Sequence, residues 1–196
     1  MRIIAGRLKG LQLKGPRGRG TRPTSDLVRG VVFQILEGLD TDWSRVLDLF
    51  AGTGALGIEA LSRGANHVDF VESSPIICAT IRDNLELAHA TDQAKVYCCT
   101  VQKALSFLPF EYDIILADPP YDSADLGSLL ERLALSAWVG ANTVLVVEHG
   151  ARLQVAQQLG PCRLIKSRRH GDTCVSFFRA GPTGASSENC GLPWQL

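Results

Sequence analysis

A stretch of twelve residues, Val46 to Gly57, constrains the fold of this 196-residue chain more than any other part of the sequence. It begins as an apolar run, contains one acid at Asp48, and ends with glycines at positions 52, 54 and 57. The apolar run predicts a buried parallel strand. The glycines predict a sharp turn, and residues 55–63 predict the helix that follows it.

The glycine turn has the properties of a ligand site. Gly52 and Gly54 lack a Cβ, so a ligand can lie against their backbone, and the N–H groups at the start of the helix favour a polar or anionic ligand. Glu72 ends the next apolar stretch, 20 residues after Gly52, where a carboxylate can accept hydrogen bonds from ribose hydroxyls. These features fit a nicotinamide cofactor and S-adenosylmethionine equally well.

Asp48 separates these two ligands. An acid inside the strand, just before the glycines, would repel a pyrophosphate. The same acid suits a ligand that has an ammonium group and no phosphate, as the methionine end of S-adenosylmethionine has. We therefore predict S-adenosylmethionine as the cofactor and S-adenosylhomocysteine as its product. The predicted cofactor-binding residues are Asp48, Phe50, Ala51, Gly52, Thr53, Gly54, Glu72, Val101 and Asp118.

A second chemical motif, Asp118-Pro119-Pro120-Tyr121, follows another buried strand. The two prolines remove two N–H donors and fix the backbone, so nearby carbonyls can act as acceptors. Asp118 adds a carboxylate acceptor, and the ring of Tyr121 offers a surface on which a base can stack. These groups suit an exocyclic amino group of a nucleobase, which would be held with its nitrogen facing a methyl donor. All four residues are predicted to be catalytic.

The charges of the chain are unevenly distributed although the net charge is zero. Residues 1–29 contain eight Lys or Arg and one acid, residues 30–159 contain seven against seventeen, and residues 160–180 contain five against one. This clustering predicts a surface that binds phosphates. The predicted RNA-binding residues are Arg2, Arg7, Lys9, Lys14, Arg17, Arg19, Arg22, Arg168 and Arg169.

Strands that alternate with helices along the chain predict a parallel sheet covered on both faces. Ligands then bind beyond the carboxyl ends of the strands, where Gly52, Glu72 and Asp118 are all expected. We predict a basic N-terminal β-hairpin or arm over residues 1–22, a methyltransferase domain over 23–180, and a flexible tail over 181–196. Residues 152–159 are predicted to be helical. Because the sheet begins near Val46, we expect that deletion of residues 1–20 leaves the cofactor site intact.

The sequence also argues against several classes of protein. No apolar run approaches the roughly 20 residues of a membrane span. The six cysteines include no Cys-x-x-Cys pair, and the four histidines have no metal-ligand spacing, so we predict no metal site. Buried, reduced thiols at Cys78, Cys98, Cys99 and Cys174 point to the cytoplasm. We expect a monomer.

Taken together, the motifs resemble those of class I S-adenosylmethionine-dependent methyltransferases that act on amino groups, whose signature is (Asp/Asn)-Pro-Pro-(Tyr/Phe). The chain more closely resembles the RsmD family of bacterial small-subunit rRNA (guanine-N2) methyltransferases. The glycine and Pro-Pro motifs are shared by many methyltransferases, whereas the two N-terminal stretches are more specific. The matching stretches are Arg2-Ile3-Ile4-Ala5-Gly6, Thr21-Arg22-Pro23-Thr24, Asp48 to Ala65, and Asp118-Pro119-Pro120-Tyr121.

This resemblance implies an α/β, Rossmann-like methyltransferase fold with a seven-stranded, mostly parallel sheet in the order 3-2-1-4-5-7-6, in which strand 7 is antiparallel. It implies that the N-terminal hairpin helps to bind rRNA, either as free small-subunit rRNA or in a partly assembled 30S subunit. By analogy, the target is the guanine at position 966. The chain departs from the family at Leu27 and Gly30, where basic and acidic residues are usual, and at Thr100, where an acid often follows the third strand.

Two other functions fit part of the sequence. An adenine-N6 methyltransferase of DNA or RNA shares the Asp-Pro-Pro-Tyr motif, and the N-terminal match argues against it. A non-catalytic RNA-binding module would need neither the glycine turn nor Glu72 and Asp118. A cytosine-C5 methyltransferase is rejected, because the single Pro-Cys pair, Pro161-Cys162, follows the fifth predicted strand instead of the fourth.

Overall fold

A computed structural model describes residues 1–15, 26–120 and 126–181. Several predicted features lie outside these ranges, among them Arg17, Arg19, Arg22, Tyr121 and most of the predicted tail. The helices in the described ranges are α1 (Asp26–Glu37), α2 (Ala55–Ser62), α3 (Pro75–Leu87), α4 (Val101–Ala104) and α5 (Leu126–Ala134). The strands are β1 (Arg45–Leu49), β2 (His67–Glu72), β3 (Ala94–Cys98), β4 (Tyr112–Ala117), β5 (Val139–Gly150), β6 (Gln158–Leu159), β7 (Cys162–His170) and β8 (Thr173–Ala180).

The strands form one sheet in the order β3-β2-β1-β4-β5-β8-β7-β6. The first five strands in this order are parallel, and β8 runs antiparallel between β5 and β7. Predicted strands 6 and 7 correspond to β7 and β8. The predicted order is therefore confirmed for seven strands, with the last strand antiparallel as expected. The two-residue strand β6 adds an eighth strand at the edge, which the sequence did not predict.

The sheet separates two hydrophobic cores, because successive residues of a buried strand point to opposite faces. Val46 packs into the first core with residues of α1, α2 and α3, whereas Leu47 packs into the second core with residues of α4 and α5. β1 and β4 are buried along almost their whole length. Helices therefore cover both faces of the parallel part of the sheet, as predicted.

The first 15 residues form a loop that is packed against the domain. Ile3 donates its N–H to the carbonyl of Leu11 at 3.0 Å, but strand-like pairing within the loop is limited to one isolated bridge between Arg2 and Gln12. Ile3 is 1% exposed and Leu13 is 5% exposed, and both belong to the first core. The predicted hairpin is thus a hairpin-like loop without regular strands, and its apolar residues are integral to the domain.

A glycine allows this loop to approach helix α2 closely. Gly6 has a φ of +79°, and a Cβ added there would lie 1.9 Å from the carbonyl oxygen of Ser62. The hydroxyl of Ser62 accepts the N–H of Leu8 at 2.9 Å, and the Ser62 carbonyl accepts the N–H of Arg7 at 2.8 Å. Residues 6–8 are therefore bound directly to the last turn of α2.

The predicted helix over residues 152–159 is wrong. This segment is a turn followed by irregular chain that ends in β6. Leu153 is 42% exposed, whereas Leu159 is buried, so the apolar residues do not form the single buried face that a helix needs. The backbone instead bonds to the sheet edge, where Leu164 donates its N–H to the carbonyl of Gln157 at 2.9 Å.

The cysteines differ in exposure. Cys78 and Cys162 are buried, Cys99 and Cys174 are half-buried, and Cys98 is exposed, so the prediction of a buried thiol is wrong for Cys98. All five are free thiols. Over residues 1–15, 26–120 and 126–181, no helix combines the length and the apolar character needed to cross a bilayer.

Candidate active site

The strand register places the predicted site residues along one edge of the sheet. Leu49 of β1 lies beside Val71 of β2 and beside Ala117 of β4, and Ala117 lies beside Val147 of β5. The residues at or just after the carboxyl ends of these paired positions are therefore neighbours along one edge of the sheet. They are Phe50 after β1, Glu72 at the end of β2, Asp118 after β4, and Glu148 within β5.

The glycine turn connects β1 to α2 through three residues with positive φ. Phe50 has a φ of 56°, Gly52 of 53° and Gly54 of 79°. Gly54 donates its N–H to the carbonyl of Ala51 at 2.8 Å and accepts the N–H of Ile58 at 2.9 Å, which begins the helix. A non-glycine residue with positive φ is strained and is typical of functional sites. The sequence predicted Phe50 as a site residue but not this conformation.

Close packing explains the third glycine. A Cβ added to Gly57 would lie 2.3 Å from a ring atom of Phe70, which is itself fully buried. The N–H of Gly57 is donated to Oδ2 of Asp48 at 2.8 Å. Gly57 therefore lets α2 pack directly on β2 and fixes the first turn of the helix to β1.

Asp48 is a buried carboxylate whose partner in the described chain is the N–H of Gly57. It is 1% exposed. Burial raises the pKa of Asp48 well above its ordinary value, the bond from Gly57 acts in the opposite direction, and the carboxylates of Asp118 and Glu72 raise the pKa further. A cationic group in this site would relieve that penalty, so the carboxylate fits the ammonium group predicted for the ligand.

Glu72 connects the glycine turn to helix α3. Its Oε2 accepts the N–H of Gly52 at 3.1 Å, and its Oε1 accepts the N–H of Ser74 at 2.9 Å. The side chain is half-buried. The hydroxyl of Ser73 also donates to Oε1 at 3.4 Å. A carboxylate has about four acceptor positions, so these bonds fix its orientation and leave capacity for one ribose hydroxyl of the kind that the sequence suggested.

Val101, another predicted cofactor-binding residue, is the first residue of α4. It is 3% exposed and packs into the second core. The hydroxyl of Thr100 accepts the N–H of Lys103 at 3.3 Å and caps this helix. Thr100 therefore has a structural role at the position where the family often has an acid.

Asp118 follows β4 directly and is half-buried, whereas Pro119 is buried and Pro120 is exposed. The N–H of Asp118 lies 3.5 Å from the carbonyl of Leu49, which ties the start of this motif to β1. The structure thus brings Asp118 to the same edge as Glu72 and the glycine turn. Tyr121 lies outside the described residues.

The predicted RNA-binding residues that lie within the described ranges form two groups along the chain. At the N-terminus, Lys14 pairs with Asp83 at 2.8 Å and Arg7 donates to Gln93 at 2.7 Å. Lys9 is exposed, and Arg2 lies 3.7 Å from Asp26. Arg168 and Arg169 are exposed on β7, the strand next to the edge strand β6. The predicted phosphate-binding residues therefore lie on two different parts of the chain, the N-terminal loop and strand β7.

Two buried polar residues near the glycine turn were missed by sequence reasoning. Glu59 and Asn84 are both fully buried. Glu59 accepts the N–H groups of Ile4 and Ala5, and Asn84 bonds to the backbone of Lys14 and of Thr53. Their partners are distant in sequence, so no local pattern indicated these contacts. Among the described residues there is no cluster of three or more potential metal ligands.

The sheet order, the glycine turn and the carboxylates at the carboxyl edge define the Rossmann-like methyltransferase fold. The family model described as "Conserved hypothetical protein 95" matches residues 1–179, and the chain belongs to this family, which includes the RsmD methyltransferases.

Relatives and a solved structure agree with this assignment. "Putative rRNA methyltransferase YlbH" from Bacillus subtilis is 34% identical over 91% of this chain and 98% of its own length. "Ribosomal RNA small subunit methyltransferase D" from Escherichia coli K12 is 33% identical over 76% of this chain and 74% of its own length. The solved structure of "Putative methyltransferase yhhF" from Escherichia coli has a TM-score of 0.79 and 28% identity, with 92% and 98% of the two chains covered.

Proposed function

We propose that this protein transfers a methyl group from S-adenosylmethionine to the exocyclic N2 amino group of a guanine in bacterial small-subunit rRNA. By analogy with the family, that guanine is the one at position 966. The observation that carries the proposal is the convergence of Asp48, the glycine turn, Glu72 and Asp118 at one edge of the sheet. The names of the relatives support rRNA as the substrate class.

The cofactor fits the residues at this edge. The positive φ values at Gly52 and Gly54 form a turn that a ligand can approach closely. Asp48 offers a buried negative charge for an ammonium group, and Glu72 is oriented toward the turn by its two backbone bonds. When bound, S-adenosylmethionine supplies an electrophilic methyl group on a sulfonium sulfur.

Asp118 is proposed to position the target amino group. Its carboxylate accepts one N–H of that group, and backbone carbonyls beside the two prolines accept the other. This would direct the nitrogen lone pair toward the methyl group that bound S-adenosylmethionine supplies. S-adenosylhomocysteine would be the leaving product, and the proton lost by the methylated nitrogen would pass to the carboxylate of Asp118 or to solvent. Catalysis of this kind depends mainly on positioning.

The N-terminal residues Arg2, Arg7, Lys9 and Lys14, with Arg17, Arg19 and Arg22, are proposed to contact phosphates on one side of the target. Arg168 and Arg169 on β7 are proposed to contact RNA on another side. We expect the protein to act as a monomer on free rRNA or on a partly assembled 30S subunit.

The test is to incubate the protein with methyl-labelled S-adenosylmethionine and either small-subunit rRNA or 30S subunits, and then to map the labelled base. We expect N2-methylguanine at one position. Asp118→Ala should lose about a hundredfold in turnover, because removal of one positioning interaction costs roughly 3 kcal/mol. Asp118→Asn is the matched control, since its amide oxygen remains an acceptor and the family signature allows Asn. Label in N6-methyladenine would support the adenine alternative, and RNA binding without methyl transfer would support a non-catalytic module.

A further inference from the structure

Asn84 is a buried polar residue that joins the glycine turn, which is proposed to bind the cofactor, to the N-terminal loop, which is proposed to bind RNA. It lies in the last turn of α3 and is 0% exposed. Its Oδ1 accepts the N–H of Lys14 at 2.8 Å, and its Nδ2 donates to the carbonyl of Lys14 at 3.2 Å. The same Nδ2 donates to the carbonyl of Thr53 at 2.9 Å. One side chain therefore holds two backbone segments together.

The first of these segments is the glycine turn. Thr53 lies between Gly52 and Gly54 and is buried, and its hydroxyl makes a further contact of 3.8 Å with Sδ of Met1. The bond from Asn84 therefore fixes the carbonyl in the middle of the turn that is proposed to hold the cofactor. A hydrogen bond in such a buried position is strong, and its loss leaves a buried carbonyl without a donor.

The second segment is the N-terminal loop at the point where it continues toward Arg17, Arg19 and Arg22. Asn84 holds both the N–H and the carbonyl of Lys14, which fixes the backbone of that residue. The side chain of Lys14 is also paired with Asp83, the neighbour of Asn84 on α3. Lys14 is thus the last residue before this basic segment that is anchored by several described contacts.

We propose that Asn84 is a positioning residue that links cofactor binding to RNA binding. A cofactor that orders the glycine turn also orders the Thr53 carbonyl, then Asn84, then the backbone of Lys14. RNA phosphates that bind Lys14 and the basic residues after it act in the opposite direction along the same contacts. By linkage, each ligand then raises the affinity for the other by the same factor. This inference rests on the proposed function and assigns a coupling role to a residue outside both binding sites.

The test compares Asn84→Asp with Asn66→Asp. In Asn84→Asp, one carboxylate oxygen can still accept the N–H of Lys14, but the other oxygen faces the two carbonyls that the amide served. Asn66 is exposed just before β2, so Asn66→Asp makes the same change of charge and size outside these contacts. Affinity for small-subunit rRNA is measured by filter binding with and without saturating S-adenosylhomocysteine.

For the wild type and for Asn66→Asp, we expect S-adenosylhomocysteine to tighten RNA binding about fivefold or more, within the usual range of allosteric coupling. For Asn84→Asp, that ratio should fall close to one even where each ligand still binds alone. An unchanged ratio in Asn84→Asp, or a wild type that binds both ligands without any linkage, would overturn the inference. If the wild type binds neither ligand, the proposed function itself has failed.

A second measurement needs no variant and therefore does not depend on whether Asn84→Asp folds. Amide hydrogen exchange of the wild type is recorded with and without S-adenosylhomocysteine. The N–H of Lys14, which is bonded to Asn84, should exchange at least several-fold more slowly when the ligand is bound. An exchange rate for Lys14 that the bound ligand does not change would contradict the linkage.

Discussion

Helix α2 contains one buried carboxylate, Glu59, and is bonded to another, Asp48 of β1, and the two charges are compensated in different ways. Glu59, in the second half of the helix, is 0% exposed and accepts the N–H groups of Ile4 and Ala5 at 2.8 and 3.0 Å. It also accepts the Nε–H of Arg63 at 2.8 Å and lies 3.7 Å from Nε of Arg29, which is itself fully buried. Glu59 therefore has two cations and two amides around its charge.

Asp48, which lies on β1 beside the first turn of the same helix, has far fewer partners. It accepts one amide, that of Gly57, and the charged groups that perturb its pKa are the carboxylates of Asp118 and Glu72. A buried charge without a cation costs more stability than one surrounded by donors and cations, which offset the loss of its hydration. We infer that Glu59 is a structural residue that fixes the N-terminal loop, and that the charge of Asp48 is retained for a cationic ligand.

The largest effect is expected from deletion of residues 1–14. The sequence led us to expect that deletion of residues 1–20 would spare the cofactor site, but even the shorter deletion removes two buried side chains, Ile3 and Leu13, and two amides bound to Glu59. The free energy of unfolding should fall by more than about 5 kcal/mol, which is a large part of the stability of a typical domain. Urea denaturation measures this loss.

The control for this deletion is Arg7→Ala with Lys9→Ala, which removes charge from the same loop but leaves its backbone in place. Both side chains are exposed, so stability should change by no more than about 0.5 kcal/mol. A truncated protein as stable as the full chain would show that the contacts of the loop with Glu59 contribute nothing to the fold.

The next largest effect is expected from Glu59→Gln. The substitution removes the negative charge between Arg29 and Arg63. It also places the NH₂ group of Gln beside N–H groups that need an acceptor. Breaking a buried ion pair by removing one partner typically costs about 3–5 kcal/mol. The same denaturation series measures this loss, and a change below about 1 kcal/mol would mean that Glu59 does not have the structural role assigned to it.

Asp48→Asn should have the opposite sign. The amide oxygen of Asn can still accept the N–H of Gly57, while the buried charge is removed, so stability near neutral pH should rise by roughly 1 kcal/mol. Because the pKa of Asp48 is raised in the folded state, its cost appears as pH rises above the ordinary value of 3.8. The variant and the wild type should therefore converge in stability at low pH, and an advantage that does not depend on pH would argue against the removed charge as its cause.

The smallest effect on stability is expected at the exposed arginines of β7. Arg168 and Arg169 bond to the carbonyls of Ser167 and Gly171, without the buried acid that Arg29 and Arg63 have. Replacing both by Ala should change stability by less than about 0.5 kcal/mol. It should also lower the slope of log RNA affinity against log salt by about two units, since each lost phosphate contact lowers the slope by about one. Filter binding across a salt series with an unchanged slope would exclude these arginines from the RNA surface.

Features set by local sequence patterns could be predicted, whereas contacts between residues distant in sequence could not. The parallel sheet and the position of Gly52, Glu72 and Asp118 at its carboxyl edge follow from local patterns, because each lies at the end of an apolar run. The N-terminal partners of Glu59 and Asn84 lie 54 to 70 residues away, and only the folded chain brings them together. The helix predicted over residues 152–159 failed for a related reason, since hydrogen bonds to the edge of β7 replaced the local ones.

We infer that the buried carboxylate of Asp48 binds the ammonium group of the cofactor. Proton release on cofactor binding tests this central claim most directly. If a cation lowers the raised pKa of Asp48, binding of S-adenosylhomocysteine must release protons in the pH range where the free protein holds one there. Calorimetric titration in buffers of different ionisation enthalpy, repeated at a series of pH values above 3.8, counts these protons. We expect proton release by the wild type that is lost, together with affinity, in Asp48→Asn. The same proton release and the same affinity in both proteins would contradict the claim.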